Sequence, residues 1–484
     1  MGMSSITISF LGFLTLFLGV GIYSAVRKTE TTEDYLVASR DVHPWVAALS
    51  AVATNNSGFM FIGLIGETFT AGLSSMWIMI GWVVGDYMAW FLKIPDKVRA
   101  ESEKRGTLTV PSFLSSGSGK GRAITIVGGI ITLAFLGIYS AAQLSAGSKA
   151  LNVLFGWNYN VGAILGAGVV VAYCSAGGIR ASIWTDAAQS IVMLFAMSVL
   201  LLTAVNHLGG FEAMWSKLSA IDPQLTSITP TETALGFDLF VLGWLFAGLG
   251  VVGQPHIMVR TMAIDSVESV ATARRVYVVW NLVFAAAAVG VGLASRAVLP
   301  DLIGDMSAFD PELSMPLLAK ELLPGVLVGL CLAGLFAATM STADSQILSC
   351  SAAITQDIFP KWGDRYSAVK LATVAVTALS LGIALYAIAL EQSGEKSGVF
   401  ALVALAWASL ASGLGPLLII RAFGHKVPEW LGVTMMVTGL GTVLFWRYGL
   451  QLTGAVYDVY PGMLMGFIIY GLWILLGKES ELKT

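Results

Sequence analysis

Apolar residues run along this chain in long blocks, and polar residues collect between the blocks. A membrane-crossing helix needs about 20 mostly apolar residues. On that measure about thirteen blocks qualify as spans, near 5–26, 45–66, 72–93, 124–149, 158–176, 183–206, 236–256, 272–298, 324–352, 367–390, 397–420, 427–446 and 457–477. Nothing charged precedes the first block and its basic residues, Arg27 and Lys28, follow it, so it is not expected to be a secretory signal. No soluble domain is expected beyond the last block.

Charge gives the chain a direction. With these spans, 21 of the 27 Lys and Arg residues fall in one set of loops and ends, and 6 fall in the other. Cytoplasmic loops carry the excess of Lys and Arg. The N-terminus is therefore expected outside and the C-terminus in the cytoplasm. The longest loops on the outer set, near 207–235 and 299–323, are acidic and contain prolines.

Composition removes whole function classes. The chain of 484 residues is 56% hydrophobic and 12% charged, with a mean hydropathy of +0.78. Soluble domains carry about 25% charged residues, so a soluble globular enzyme is excluded. A net charge of −3 and a pI near 5.9 give no basic excess for nucleic acid. The three cysteines, Cys174, Cys331 and Cys350, lie in apolar blocks without CxxC spacing and read as small buried hydrophobes. No nucleophile–base pair or metal-ligand spacing suggests an enzyme.

Two spans are poor helices. The second contains Ala51-Val52-Ala53-Thr54-Asn55-Asn56-Ser57-Gly58-Phe59, where Asn and Ser compete for backbone hydrogen bonds and Gly costs entropy. The seventh contains Gly248-Leu249-Gly250-Val251-Val252-Gly253-Gln254-Pro255, and its proline removes a backbone donor. Such breaks can simply kink packed helices. Unwound backbone at membrane depth is tolerated where it faces protein or a polar cavity, and there its carbonyls can bind a cation. The two breaks stand five spans apart, each opening a run of five. Interrupted helices in corresponding positions point to an inverted-repeat secondary transporter.

The ninth span carries Ala338-Thr339-Met340-Ser341-Thr342-Ala343-Asp344-Ser345-Gln346. Ala338, Ser341 and Thr342 share one helix face at i, i+3 and i+4. Two hydroxyls and a carbonyl suit a hard cation. The same hydroxyls can instead bond back to the preceding turn. An intramembrane acid is costly and is functional by default; Asp86, Asp186 and Asp344 are such residues, and Asp86 has no obvious partner. His256, after Pro255, reads as structural or gating.

Taken together, these segments resemble the solute:sodium symporter family, most closely its bacterial sodium/proline branch. The resemblance runs from about Asp34 to Gly477. It rests on Asp34-Tyr35, Arg40, Ala48-Leu49-Ser50-Ala51, Ser57-Gly58, Ile138-Tyr139, Trp184-Thr185-Asp186, Gly253-Gln254-Pro255-His256-Ile257, Ala273-Arg274-Arg275, Met340-Ser341-Thr342, and Ala406-Trp407-Ala408 with Gly415-Pro416. It implies an all-α polytopic membrane protein of the leucine-transporter type: two inverted five-helix repeats, one extra helix before and two after. The corresponding organisation is 1–44 for the extra N-terminal helix and loop, 45–206 for the first repeat and 207–235 for an outer loop. The second repeat is 236–421, and the two C-terminal helices with a short tail are 422–484.

The resemblance also implies a sodium site made by the carbonyls of Ala53, Asn56 and Ala338 with the hydroxyls of Ser341 and Thr342. Asp186, Ser345 and Asp344 are implied contributors to a second sodium site or to coupling, and Arg40 to gating. The solute would lie among Asn55, Ser57, Gly58, Tyr139, Gln143, Gly248, Gln254 and Pro255. Several positions depart from the sodium/proline pattern. Asn55 stands where that branch has Asp, and Asn56 where it has Met. Ala247 and Val251 replace two aromatics, Phe59 replaces a Trp, and Gln143 adds a polar group. The expectation is a sodium-coupled symporter in a bacterial inner membrane, monomeric, importing a small polar solute by alternating access. L-proline leads; another amino acid, a betaine or a small carboxylate is the alternative. A membrane solute sensor with a transporter-like body is the alternative from another class.

Overall fold

The computed structural model describes residues 4–26, 29–116, 121–230, 233–303, 309–393 and 398–476. These residues are almost wholly helical. Nine helices among them are long and apolar enough to cross a membrane, or ten if the bent pair Phe237–Gly253 and Pro255–Met262 is one span. Two of the nine are interrupted internally. Gly72, with φ +72°, separates Leu64–Ala71 from Met76–Phe91. Gly178, with φ +56° and ψ −141°, bends the 50-residue helix Tyr159–Leu208. A Cβ at Gly178 would stand 2.6 Å from the Tyr35 carbonyl oxygen, so both the dihedral and the approach require glycine.

The expected loop between the fifth and sixth blocks is therefore absent. Arg180, which the block bounds 158–176 and 183–206 leave in that loop, lies in the helix and is buried, its Nη2 donating to Asp34 Oδ1 at 2.7 Å. Arg260 is a second such case: it sits inside the helix Pro255–Met262 and is wholly buried. Both residues belong to the side that carries most Lys and Arg, called the basic side below; the other is the far side.

The two broken spans have distinct geometries. The second begins at Pro44, runs to Gly58, and leaves helical dihedrals at Ser57 (φ 46°, ψ −175°). A π-turn, Phe59–Gly63, then leads into Leu64–Ala71. The seventh runs Phe237–Leu249, tightens to a 3₁₀ turn over Gly250–Gly253, extends at Gln254 (φ −98°, ψ 99°) and restarts at Pro255 with a 53° bend. Proline at the first helical position loses no hydrogen bond. The ninth span, Gly325–Ala352, stays unbroken and is buried over most of its length.

The basic-side ends of the two broken spans are tied together. Val42 N donates to Ala263 O at 3.1 Å, and Asp265 N donates to Val42 O at 3.0 Å. Arg40 strengthens this tie, its Nη1 donating to Met262 O at 3.1 Å and its Nη2 to Thr107 O at 2.8 Å. On the far side, Lys149 Nζ holds Asp310 at 2.9 Å, Glu312 at 2.8 Å and Glu391 at 2.7 Å. Glu312 in turn accepts from Phe400 N at 3.0 Å, at the start of the eleventh span.

Candidate cation and solute site

The breaks place three polar groups of side chains in the interior. The first joins the second and ninth spans. Thr342 Oγ1 lies 3.1 Å from Thr54 O across the interface and donates to Ala338 O at 3.1 Å. Ser341 Oγ donates to the same Ala338 carbonyl at 3.2 Å. Both hydroxyls thus bond back to their own helix, and one also reaches the second span. Ala53, Ala338, Ser341 and Thr342 are wholly buried, and Asn56 nearly so. Beyond Thr54 the helical ladder stops: Phe59 N turns to Asn56 O and to Ser57 Oγ at 3.0 Å. The donor set is all oxygen and uncharged, and it lies at a helix break. It fits a sodium ion, a hard cation that accepts carbonyl and hydroxyl ligands.

The second group surrounds Asp186 and Asp344. Ser50 Oγ donates to Asp186 Oδ2 at 2.7 Å, and Arg260 Nη2 reaches the same oxygen at 3.1 Å. Ser182 Oγ donates to Asp344 Oδ1 at 3.1 Å, as does Ser345 Oγ at 2.9 Å. Arg260 also contacts Ser345, Ser182 and Ser50. All six residues are fully buried. Two carboxylates face one guanidinium, and Asp186 Oδ1 and Asp344 Oδ2 accept nothing. Thr54 Oγ1 lies 3.3 Å from Ser345 Oγ and 3.4 Å from Ser341 O, so this group adjoins the first. Arg260 and Ser182 were not singled out in the sequence, and Ser50 stood there only within a motif of the resemblance. Arg260 was hidden because its helix resumes only after a break, which made it look like a loop cation.

The third group holds the candidate solute residues. Gly58 N donates to Gln143 Oε1 at 2.8 Å, and Tyr139 Oη donates to Ser57 Oγ at 3.4 Å. The His256 ring meets Tyr139 edge-on, with centroids 5.7 Å apart. Gln254 Nε2 donates to Trp407 O at 3.1 Å. Four buried polar atoms here lack partners: Gln143 Nε2, Gln254 Oε1, and both ring nitrogens of His256. Orphaned buried polar atoms are costly unless something pairs with them, and the set contains both donors and acceptors. His256 thus joins this group, a position that an isolated histidine in sequence does not disclose. A basic-side cavity lined by Pro111, Thr132, Ile179, Pro255, Val259 and Ser349 reaches Pro255. Trp82 stacks against Phe59, with centroids 5.6 Å apart, and meets Trp407 at a tilt, with centroids 4.5 Å apart.

Two expected solute residues are turned elsewhere. Gly248 packs on the third span, where a Cβ would stand 1.8 Å from Trp82 O and 2.6 Å from Asp86 N. Its smallness is taken up by helix packing. Asn55 points away from Gln143, its Nδ2 donating to Tyr277 Oη at 2.5 Å and to Asp86 Oδ2 at 3.1 Å. Arg40 lies outside all three groups, on the basic-side tie.

Comparison with known proteins decides the family. The profile of the sodium:solute symporter family matches residues 35–439. The chain belongs to the sodium:solute symporter family. Among relatives of this symporter, the high-affinity proline transporter PutP of Bacillus subtilis (strain 168) is 32% identical over 470 residues, covering 96% of each chain. A sodium/proline symporter of Escherichia coli (strain K12) is 32% identical over 466 residues, covering 95% of this chain and 91% of its own. The fold matches that of a Na+-coupled sialic acid symporter solved in a substrate-bound outward-open state. That match has a TM-score of 0.76 at 18% identity over 96% of this chain and 98% of the other. A nucleobase-cation-symport-1 family transporter, MHP1, in a closed conformation, matches at a TM-score of 0.57 and 15% identity, covering 90% of this chain and 91% of its own. The symporter is an integral membrane protein with the leucine-transporter type of fold, and it is not an enzyme.

Proposed function

We propose that this symporter carries L-proline into the cell with sodium by alternating access. The observation that carries the reading is the joint between the Thr54 carbonyl and Thr342, at the break of the second span. It gathers uncharged oxygens from two helices that alternating access would move apart. The proline assignment is supported by relatives named as proline transporters that are about a third identical over nearly the full chain.

Sodium would bind the carbonyls of Ala53, Asn56 and Ala338 and the hydroxyls of Ser341 and Thr342. To do so, the two hydroxyls turn from donors toward Ala338 into ligands. Bound sodium holds the second span against the ninth. Proline has a carboxylate and a secondary ammonium. Gln143 Nε2 is a free donor for the former and Gln254 Oε1 a free acceptor for the latter. Asp186, Asp344 and Ser345 would hold a second sodium or transmit its occupancy. The excess of acid over base there, with two unpaired carboxylate oxygens, supports a cation.

The charge bias supports a cytoplasmic basic side, with the N-terminus outside and the C-terminus inside. The stretches 45–206 and 236–421 would be the two repeats, and one copy of the chain holds every group named. The driving force suffices. One charge moving through about 100 mV supplies about 2.3 kcal/mol, and a tenfold sodium gradient adds about 1.4 kcal/mol. Their sum of about 3.7 kcal/mol supports roughly 500-fold accumulation at one-to-one coupling.

The test is uptake of labelled L-proline into proteoliposomes under an inward sodium gradient, against an equal potassium gradient. Sodium-dependent accumulation is expected. If sodium stabilises the purified protein against heat but proline does not enter, the solute is another amino acid, a betaine or a small carboxylate. Binding of solute without accumulation supports a sensor instead.

A further inference from the structure

Asp86 lies in the third span, Met76–Phe91, and is 1% exposed. Its Oδ2 accepts from Tyr277 Oη at 2.7 Å, from Asn55 Nδ2 at 3.1 Å and from Asn281 Nδ2 at 3.4 Å. Tyr277 and Asn281 stand one turn apart on the eighth span, Val270–Val298. Asn281 Oδ1 accepts from Asn56 Nδ2 at 3.2 Å. Three spans thus converge on one carboxylate.

The network is incomplete on one side. Asp86 Oδ1 and Asn55 Oδ1, both buried, have no hydrogen-bond partner. The Trp90 indole, one turn along the third span, interacts with the carboxylate but carries no charge. No Lys or Arg pairs with it among the described residues. Arg274 is spent on the Trp90 carbonyl, to which Nη1 donates at 3.2 Å. The seventh span meets the third at Leu245, Gly248 and Leu249, which bring no ionisable group. A buried carboxylate without a basic partner must take a counter-charge from elsewhere or bind a proton.

We propose that Asp86, with Asn55, Tyr277 and Asn281, is a further cation site, which holds one small monovalent cation, sodium or a proton. Asp86 Oδ1 and Asn55 Oδ1 are the free oxygens that would receive it. An amide can also turn about its terminal bond, which would present Asn55 oxygen in place of nitrogen to a neutralised Asp86. Asn55 is the residue before Asn56, whose carbonyl belongs to the proposed sodium site, and Asn281 holds the Asn56 side chain. Occupancy at Asp86 is therefore felt at the break of the second span. The site goes beyond the proposed function and draws on the Ser341 and Thr342 site only for this coupling.

The experiment counts ions on the purified full chain without any solute. Labelled sodium is titrated by scintillation proximity. Proton release on sodium addition is read with an indicator dye in weak buffer. Three proteins are compared: native, Asp86→Asn, and Ser341→Ala with Thr342→Ala. If sodium is the cation, Asp86→Asn binds one sodium fewer than native. If a proton is the cation, the sodium count holds, and the native protein exchanges one proton that Asp86→Asn does not. Loss of sodium in the Ser341/Thr342 variant tests the proposed function separately. Unchanged sodium and proton counts in Asp86→Asn overturn the site. Should that variant not fold, Asp86→Glu keeps the charge but moves it. A shift of more than about fivefold in sodium affinity or in the pH midpoint of release is then expected, and none would overturn the site.

Discussion

Thr342 Oγ1 stands 3.1 Å from the Thr54 carbonyl oxygen, although 288 residues separate them. This contact joins a broken helix to an unbroken one. It places a hydroxyl beside backbone that lies a single turn before the Ser57 break. Thr342→Ala should raise the sodium concentration for half-maximal uptake about tenfold or more, and Thr342→Ser should restore most of it. Lost sodium ligation predicts that pattern. Loss of one hydrogen bond alone would cost about 1 kcal/mol of stability and leave the sodium dependence alone. Uptake as a function of sodium in the two variants separates them.

Arg260 is the only guanidinium bonded to the Asp186 and Asp344 group among the described residues. Breaking a buried pair by removing one partner costs about 3–5 kcal/mol, because the other charge stays behind. Arg260→Gln should therefore lower the melting temperature strongly. Adding Asp186→Asn should recover much of the loss. Thermal unfolding in detergent reads both, and equal melting temperatures for the single and double variants would contradict the pairing.

On the far side, Lys149 holds three acids. Lys149→Gln leaves these acids facing one another and frees the loop that bonds the start of the eleventh span. Phe400→Cys gives a reporter there, and the native cysteines are buried. An impermeant maleimide should modify Phe400→Cys several-fold faster when Lys149→Gln is present. Equal rates would show that Lys149 does not hold the start of the eleventh span in place.

Gly248 and Gly85 face each other's helices. A Cβ at Gly248 would stand 1.8 Å from Trp82 O, and one at Gly85 would stand 1.8 Å from Leu245 O. Backbone cannot swing aside as a side chain can. Gly248→Ala or Gly85→Ala should cost at least the roughly 1–3 kcal/mol of an overpacked core. Melting temperature is the check. If Gly248 instead served chiefly as a solute contact, the alanine variant would keep its stability and lose only affinity.

Much of the fold was legible in sequence because the bilayer makes it so. Every backbone group in hydrocarbon must be satisfied within its own segment, so long apolar blocks become helices. Block edges such as Ser5–Ala25 and Val270–Val298 agree with the reading within one or two residues. Breaks at Ser57 and Gln254 were legible for the same reason, since Asn, Gly and Pro are poor helix formers whatever surrounds them. Short connections were not. Gly178 turns the chain without any polar loop, and an apolar count cannot show it.

What the sequence determined, then, was the class, the breaks and the face shared by Ala338, Ser341 and Thr342, because these depend on local spacing. What only the tertiary structure decided was which groups meet. Within its own segment Asp86 meets only the Trp90 indole, and it finds Asn55, Tyr277 and Asn281 on two other helices. Arg260 meets Asp186 across 74 residues. Such pairings depend on how helices pack and rotate against one another, and spacing along a single helix does not encode them.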